Sequence, residues 1–112
     1  MKYNGSGKEL KSVKWERLRR SVLARDGYLD QEAKRYGKRI EAEHVHHIFP
    51  REYFPEYTFE PWNLVSVSLQ THNKLHDRDS HRLTKKGVDL LLRTARSRGI
   101  NISEEVIKVI SV

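Results

Sequence analysis

The chain has 112 residues, enough for one compact domain and too few for two, and no run of 18 apolar residues or leading apolar stretch that would read as a membrane span or signal peptide. It has no cysteine, which excludes disulfides and thiolate metal ligands and leaves His, Asp and Glu to hold any metal. A formal charge of +7 and a pI near 9.8 suit a polyanionic partner such as nucleic acid, although a surplus of solvated lysine and arginine explains the same numbers. These features favour an intracellular, cytoplasmic protein with no membrane association.

Residues 1–10 are polar, carry Gly5 and Gly7, and read as a loose lead. A helix is predicted over 11–25, with Val13, Leu18, Val22 and Leu23 near one face, Trp15 beside it, and Lys14, Arg17, Arg19 and Arg20 opposite. Asp26-Gly27 stops it. Asp30 caps a short helix to Tyr36, closed by Gly37. Residues 39–49 read as a strand with imperfect alternation, and 50–61 as a long loop bearing all three prolines. Its aromatics, Tyr53, Phe54, Tyr57 and Phe59, with Trp62 beyond, read first as a satellite core and second as base-stacking groups. Residues 64–67 form a second strand, and 69–79 have helical composition. Thr84 caps a helix to Arg98, with Leu90 and Leu91 inward and Gly99 ending it. Ser103 caps a last segment, 104–110, which reads as a helix or, from Val106, Ile107, Val109 and Ile110, as a strand.

Five of the six histidines, His44, His46, His47, His72 and His76, lie within 33 residues, and His81 follows. Four residues apart on a helix, His72 and His76 share a face and can grip one ion. Alone, that pair reads more simply as two solvent-exposed histidines. A second element bearing His44, His46 and His47 changes the balance. His46 with His72 and His76 would give three nitrogen ligands and leave positions open, the arrangement of a catalytic site. His47 would stay unligated beside the ion, and a neutral imidazole is a good general base. On a flat strand His46 and His47 point to opposite faces, so both serve one site only if the strand bends or ends near Pro50.

The ordered set His46-His47, Asn63, His72 and His76 resembles the HNH motif of ββα-metal nucleases. The wider sequence is similar to small phage-type HNH endonucleases at 15–19, 25–28, 45–48, 63–66 and 71–74. The resemblance implies an α+β fold, a ββα-metal (His-Me finger) motif over about 39–79 flanked by N-terminal and C-terminal helices, in a single nuclease domain spanning 1–112. It implies that His46, His72 and His76 bind one divalent metal, that His47 deprotonates water, and that Asn63 fixes the histidine strand across the loop. Asn63 has a second reading as a plain turn residue after Pro61-Trp62. Many relatives carry cysteines for a structural zinc at positions matching Asp30, Ala33, Ser68 and Thr71, so this departure argues against structural zinc here.

The implied activity is hydrolysis of DNA phosphodiester bonds, leaving 5′-phosphate and 3′-hydroxyl ends. Mg, Mn or Ni is expected to support cutting; three imidazoles would also bind Zn. Activity is expected to fall below about pH 6 as histidines protonate. His44, Arg51, Lys74 and Arg78 are candidate phosphate contacts, and His81 is assigned no role. Phage packaging proteins are the expected partners besides DNA, with the chain a monomer or weak dimer. Two other readings stand beside this one: a non-catalytic nucleic-acid-binding module with a decayed site, and a domain with a closed structural metal site.

Overall fold

The structure, a computed structural model, describes the backbone of residues 4–112 and the side chains of residues 13–112. At its centre β1 (His44–His47) and β2 (Leu64–Val67) pair antiparallel, in the register His44↔Val67, Val45↔Ser66, His46↔Val65 and His47↔Leu64. Five helices surround this hairpin: α1 (Asn4–Arg25), α2 (Gln31–Arg35), α3 (Leu69–Leu75), α4 (Lys85–Arg98) and α5 (Glu104–Ile110). The connection between the strands holds two 3₁₀ turns, Pro55–Tyr57 and Pro61–Asn63. The class is α+β: a ββα unit of the hairpin and α3, with helices before and after it.

The elements differ from the sequence expectations at their ends, each for a local reason. Helix α1 begins at Asn4 instead of residue 11. Gly5 and Gly7 each cost about 1 kcal/mol relative to Ala, but extending an existing helix avoids the nucleation penalty. Residues 1–3 lie outside the described residues. Val22 and Leu23 of α1 are buried, whereas Val13, expected on the same face, is 49% exposed.

Strand β1 covers only His44–His47 of the expected 39–49, because β2 offers just four residues to pair with. Glu41 makes an isolated bridge to Leu29 instead. Helix α3 stops at Leu75 and not at 79, so His76 is not helical; it is extended, with φ −145 and ψ 155. The carbonyl of Leu75 accepts the amide of Thr84 at 3.0 Å, and Gly87 packs so close to that carbonyl that any Cβ would collide with it. The loop after α3 therefore turns back at once, and His76 bridges to Leu83. Of the two readings of 104–110, the helix is the one adopted, with the Ser103 hydroxyl accepting the Val106 amide.

One core runs from the hairpin to α4 and α5 through Phe49, Val67, Leu75, Leu83, Leu91 and Ile110. Tyr53, Phe54, Tyr57 and Trp62 pack against it, and Phe49 meets Phe54, Tyr57 and Trp62 edge-on at 5.1, 5.4 and 5.7 Å. These four aromatics thus serve packing, which large rings do through their buried area.

The outer edge of β2 has no third strand among the described residues. Ser66 and Ser68, two residues apart, present their amides on that one edge. Asp26 accepts the Ser66 amide at 3.0 Å, and Asp30 accepts the Ser68 amide at 2.9 Å and its hydroxyl at 2.8 Å. The turn that delivers both carboxylates passes through left-handed Gly27 (φ 65) and Tyr28 (φ 59). The Arg25 guanidinium holds Asp26 and also donates to the carbonyls of Pro61 and Leu64 at 2.8 and 2.7 Å.

The four positions at which the family resemblance would place cysteines meet around Asp30. Its other oxygen caps α2 through the Ala33 amide at 2.8 Å. Ser68 caps α3 through the Thr71 amide at 3.2 Å and reaches the Thr71 hydroxyl at 3.3 Å. Burial acts to raise the Asp30 pKa, but hydrogen bonds from Thr71, Ala33 and Ser68 together outweigh it and hold the carboxyl below its ordinary value. Asp30→Asn is expected to leave an amide group facing N–H donors and to destabilise the fold by about 3 kcal/mol. Urea unfolding of both proteins checks this; equal midpoints would remove the clamp from the account of the fold.

Candidate metal centre

His46 sits on β1 with its side chain 3% exposed, His72 on the last turns of α3, and His76 just beyond it. One nitrogen from each ring lies within 4.8 Å of the other two. The His46 ring is 5.7 Å from His72 and 5.8 Å from His76 between centroids, and His72 and His76 are 4.3 Å apart. Nε2 of His46 and Nδ1 of His76 are buried with no hydrogen-bond partner among the described residues. Buried polar atoms are rarely left so, and three imidazoles whose nitrogens lie this close together fit a cation. His72 and His76 touch through their Nε2 atoms at 2.9 Å, a contact in which only one nitrogen can carry the proton. Although His76 lies off the helix, the extended backbone and the bridge to Leu83 still bring its ring against His72.

His47 ends β1 and turns the other way. Its ring stacks on Trp15 of α1 at 5.0 Å with 16° between planes, and its Nε2 lies 3.1 Å from the carbonyl oxygen of Thr58. A carbonyl can only accept, so Nε2 carries the proton and Nδ1 keeps its lone pair. A cleft of about 930 Å³ wraps the end of the strand, and His46, His47, His72 and His76 all line it. The opposite faces of β1 thus open onto one space.

Asn63 is fully buried where the long connection rejoins β2. Its Oδ1 accepts the Phe49 amide at 2.7 Å, and its Nδ2 donates to the carbonyls of Phe49 and Tyr57 at 3.1 Å each. The side chain ties the chain just past His47 to the loop that supplies Thr58.

The remaining candidates are dispersed. Arg51 lines the cleft. His44 stacks parallel to His72 at 5.7 Å, outside the trio. Lys74 lines a separate groove between α2, α3 and α4, and Arg78 is exposed and lines neither space. Cleft residues that escaped the sequence reading include Trp15, Thr58, Phe59 as a wall, and His81. His81 has the left-handed φ of 61, held by the Asp77 carboxylate, which accepts the Ser80 amide and hydroxyl at 2.9 Å. Its only sequence signal was its nearness to His76.

Burial dominates the electrostatics. It drives His46 well below the ordinary histidine pKa, with neighbouring His72, His76 and His47 adding to it. It pushes His72 down to about 4, helped by His76 and His44. His76 is lowered by burial and by His81, against the Asp77 backbone. His47 is lowered by burial and by Arg51, against its bond to Thr58. All four rings therefore favour the neutral form, as a ligand or a base requires.

The HNH endonuclease of the deep-sea thermophilic bacteriophage GVE2, crystallised with a manganese ion, is similar to this chain at 30% identity and a TM-score of 0.53, covering 65% of this chain and 87% of that one. No family model matches the chain. No curated protein matches it either.

The depressed histidines set a pH dependence of stability. Unfolded histidines take up protons near pH 6.5, while the folded rings do so only at lower pH, about 4 for His72. Stability from this source is complete above pH 6.5 and declines as the pH falls through the folded values. The metal-free protein is expected to lose melting temperature steadily from pH 7 to pH 4.5 in a thermal scan. A flat profile would contradict buried, neutral imidazoles.

Proposed function

Because this chain belongs to the HNH endonuclease family, we propose that it hydrolyses phosphodiester bonds in DNA, with one divalent metal ion held by His46, His72 and His76 and with His47 as general base. The observation that carries the reading is the division of labour among the four imidazoles. Three converge, two of them with a buried nitrogen that has no hydrogen-bond partner among the described residues, and the fourth is kept apart with a free Nδ1.

What a bound divalent ion supplies at this trio is Lewis-acid stabilisation of the phosphorane and of the departing 3′ oxygen. The protein's own groups do the rest. Thr58 holds the His47 tautomer, so that Nδ1 takes a proton from water as that water's oxygen attacks phosphorus. The P–O3′ bond then breaks, the 3′ oxygen takes a proton from solvent, and a 5′-phosphate remains. Asn63 keeps the segment after His47 fixed against the loop that carries Thr58. Arg51, on the wall of the cleft, gives charge for a phosphate oxygen, while His44 flanks His72 at the rim. The net charge of +7 serves non-specific attraction to the DNA backbone, and no base-reading element is assigned.

Mg, Mn and Ni are the ions assigned to cutting, and manganese is the ion named for the GVE2 enzyme. Zinc is expected to bind the imidazoles without supporting equal turnover. A cytoplasmic, phage or prophage setting and contact with packaging proteins remain part of this reading. So does action as a monomer or weak dimer.

Supercoiled plasmid, EDTA-stripped protein and metals added back one at a time test it. Nicking is expected with Mg, Mn or Ni and not without metal. His47→Ala is expected to lose at least about 100-fold in rate while keeping the metal-induced rise in melting temperature. Wild-type protein that binds metal yet never nicks would favour a closed structural site. Rates should hold from pH 8 to below pH 6.5, because burial lowers the His47 pKa, and then fall as the ring protonates.

A further inference from the structure

We infer that Trp15 is a positioning residue for His47, its indole holding the imidazole in the one plane that presents Nδ1 to the cleft. This rests on the reading of His47 as general base. A histidine ring has broad freedom about its second torsion. The hydrogen bond from Nε2 to Thr58 fixes one corner of the ring at 3.1 Å but leaves its tilt free. The stacked indole, 5.0 Å away and 16° from parallel, fixes that tilt. Two contacts of different kinds thus determine an orientation that neither sets alone.

Trp15 belongs to α1, outside the ββα unit, and its neighbours tie that stretch of helix to both supports of His47. The Lys14 ammonium lies over the Phe59 ring at 4.4 Å, and Phe59 follows the Thr58 that holds Nε2. Arg19 donates to the Glu43 carbonyl at 3.2 Å, just before β1, and is braced by Glu16 at 3.2 Å. The helix is therefore gripped on the loop side and on the strand side of the stacked pair. Simple packing would need no such alignment of planes, and a group reserved for stacking on DNA bases would not have its face covered by His47.

The test is a double-mutant cycle on plasmid nicking with Mn²⁺, using wild type, Trp15→Ala, His47→Ala and the double variant. Trp15→Ala is expected to lower kcat about 10- to 100-fold, with KM within about 2-fold of wild type and the Mn²⁺ midpoint in thermal shift unchanged. Trp15→Phe, which restores a flat ring, should recover most of the rate. In the His47→Ala background, removing Trp15 should cost nothing further. Should Trp15→Ala fail to fold, Trp15→Leu replaces it, filling the space without a planar face.

Independent, multiplying losses in the double variant would overturn the inference. So would a rise in KM at unchanged kcat, which is the mark of a DNA contact, or equal rates for Trp15→Leu and Trp15→Phe. His47→Ala cutting at the wild-type rate would remove the base assignment itself, an outcome distinct from the failure of Trp15 alone.

Discussion

Two carboxylates four residues apart hold the free edge of a four-residue strand, and the candidate metal centre depends on that grip. A lone hairpin with strands this short is marginal in water. Here Asp26 and Asp30 receive the outward amides of Ser66 and Ser68 in place of a third strand. Ser68 is also the cap of α3, so the same contact fixes where the helix bearing His72 begins. Glu43 adds a second anchor at that end by accepting the Leu69 amide at 3.0 Å. The position of one imidazole is thus set by acidic groups that stand outside the trio of histidines.

The site is built by unlike means on its two sides. In the trio of histidines, burial drives His46 and His72 toward neutrality. Two of its buried nitrogens, His46 Nε2 and His76 Nδ1, have no hydrogen-bond partner among the described residues, a local frustration of the kind found at functional sites. The His47 side is fully partnered at Nε2, by a carbonyl from the long connection, and is walled by α1. Asn63 joins the sides, because its three hydrogen bonds close that connection directly behind β1. A loop with three prolines and four packed aromatics is stiff enough to carry such a contact.

Much of this arrangement was legible in the sequence where the signal is local. The caps at Asp30, Thr84 and Ser103 and the left-handed stop at Gly99 follow from the chemistry of single residues. The crowding of histidines between 44 and 76 pointed to one centre before any geometry was known. What stayed hidden depends on long-range partners. The length of β1 was set by β2, and the end of α3 by the return of Thr84 and Gly87 against Leu75. No pattern within 11–25 distinguishes Trp15 from an ordinary face residue; only the fold sets it on His47. Lys74 and Arg78 looked equivalent to Arg51 by nearness in sequence, yet helix geometry sends Lys74 to the far flank of α3.

Leu83 links one imidazole to residues 110–112. It bridges to His76 on one side and to Ser111 on the other, and it exchanges backbone hydrogen bonds with Ile110 and Val112 at 2.8 and 2.9 Å. Transplanting the hairpin, α3 and His76 to another scaffold would carry the three rings and leave behind the Leu83 strip that His76 bridges. The ββα unit is therefore no portable cassette in this protein. Anyone grafting it must also bring an extended strip against which the residue after α3 can lie.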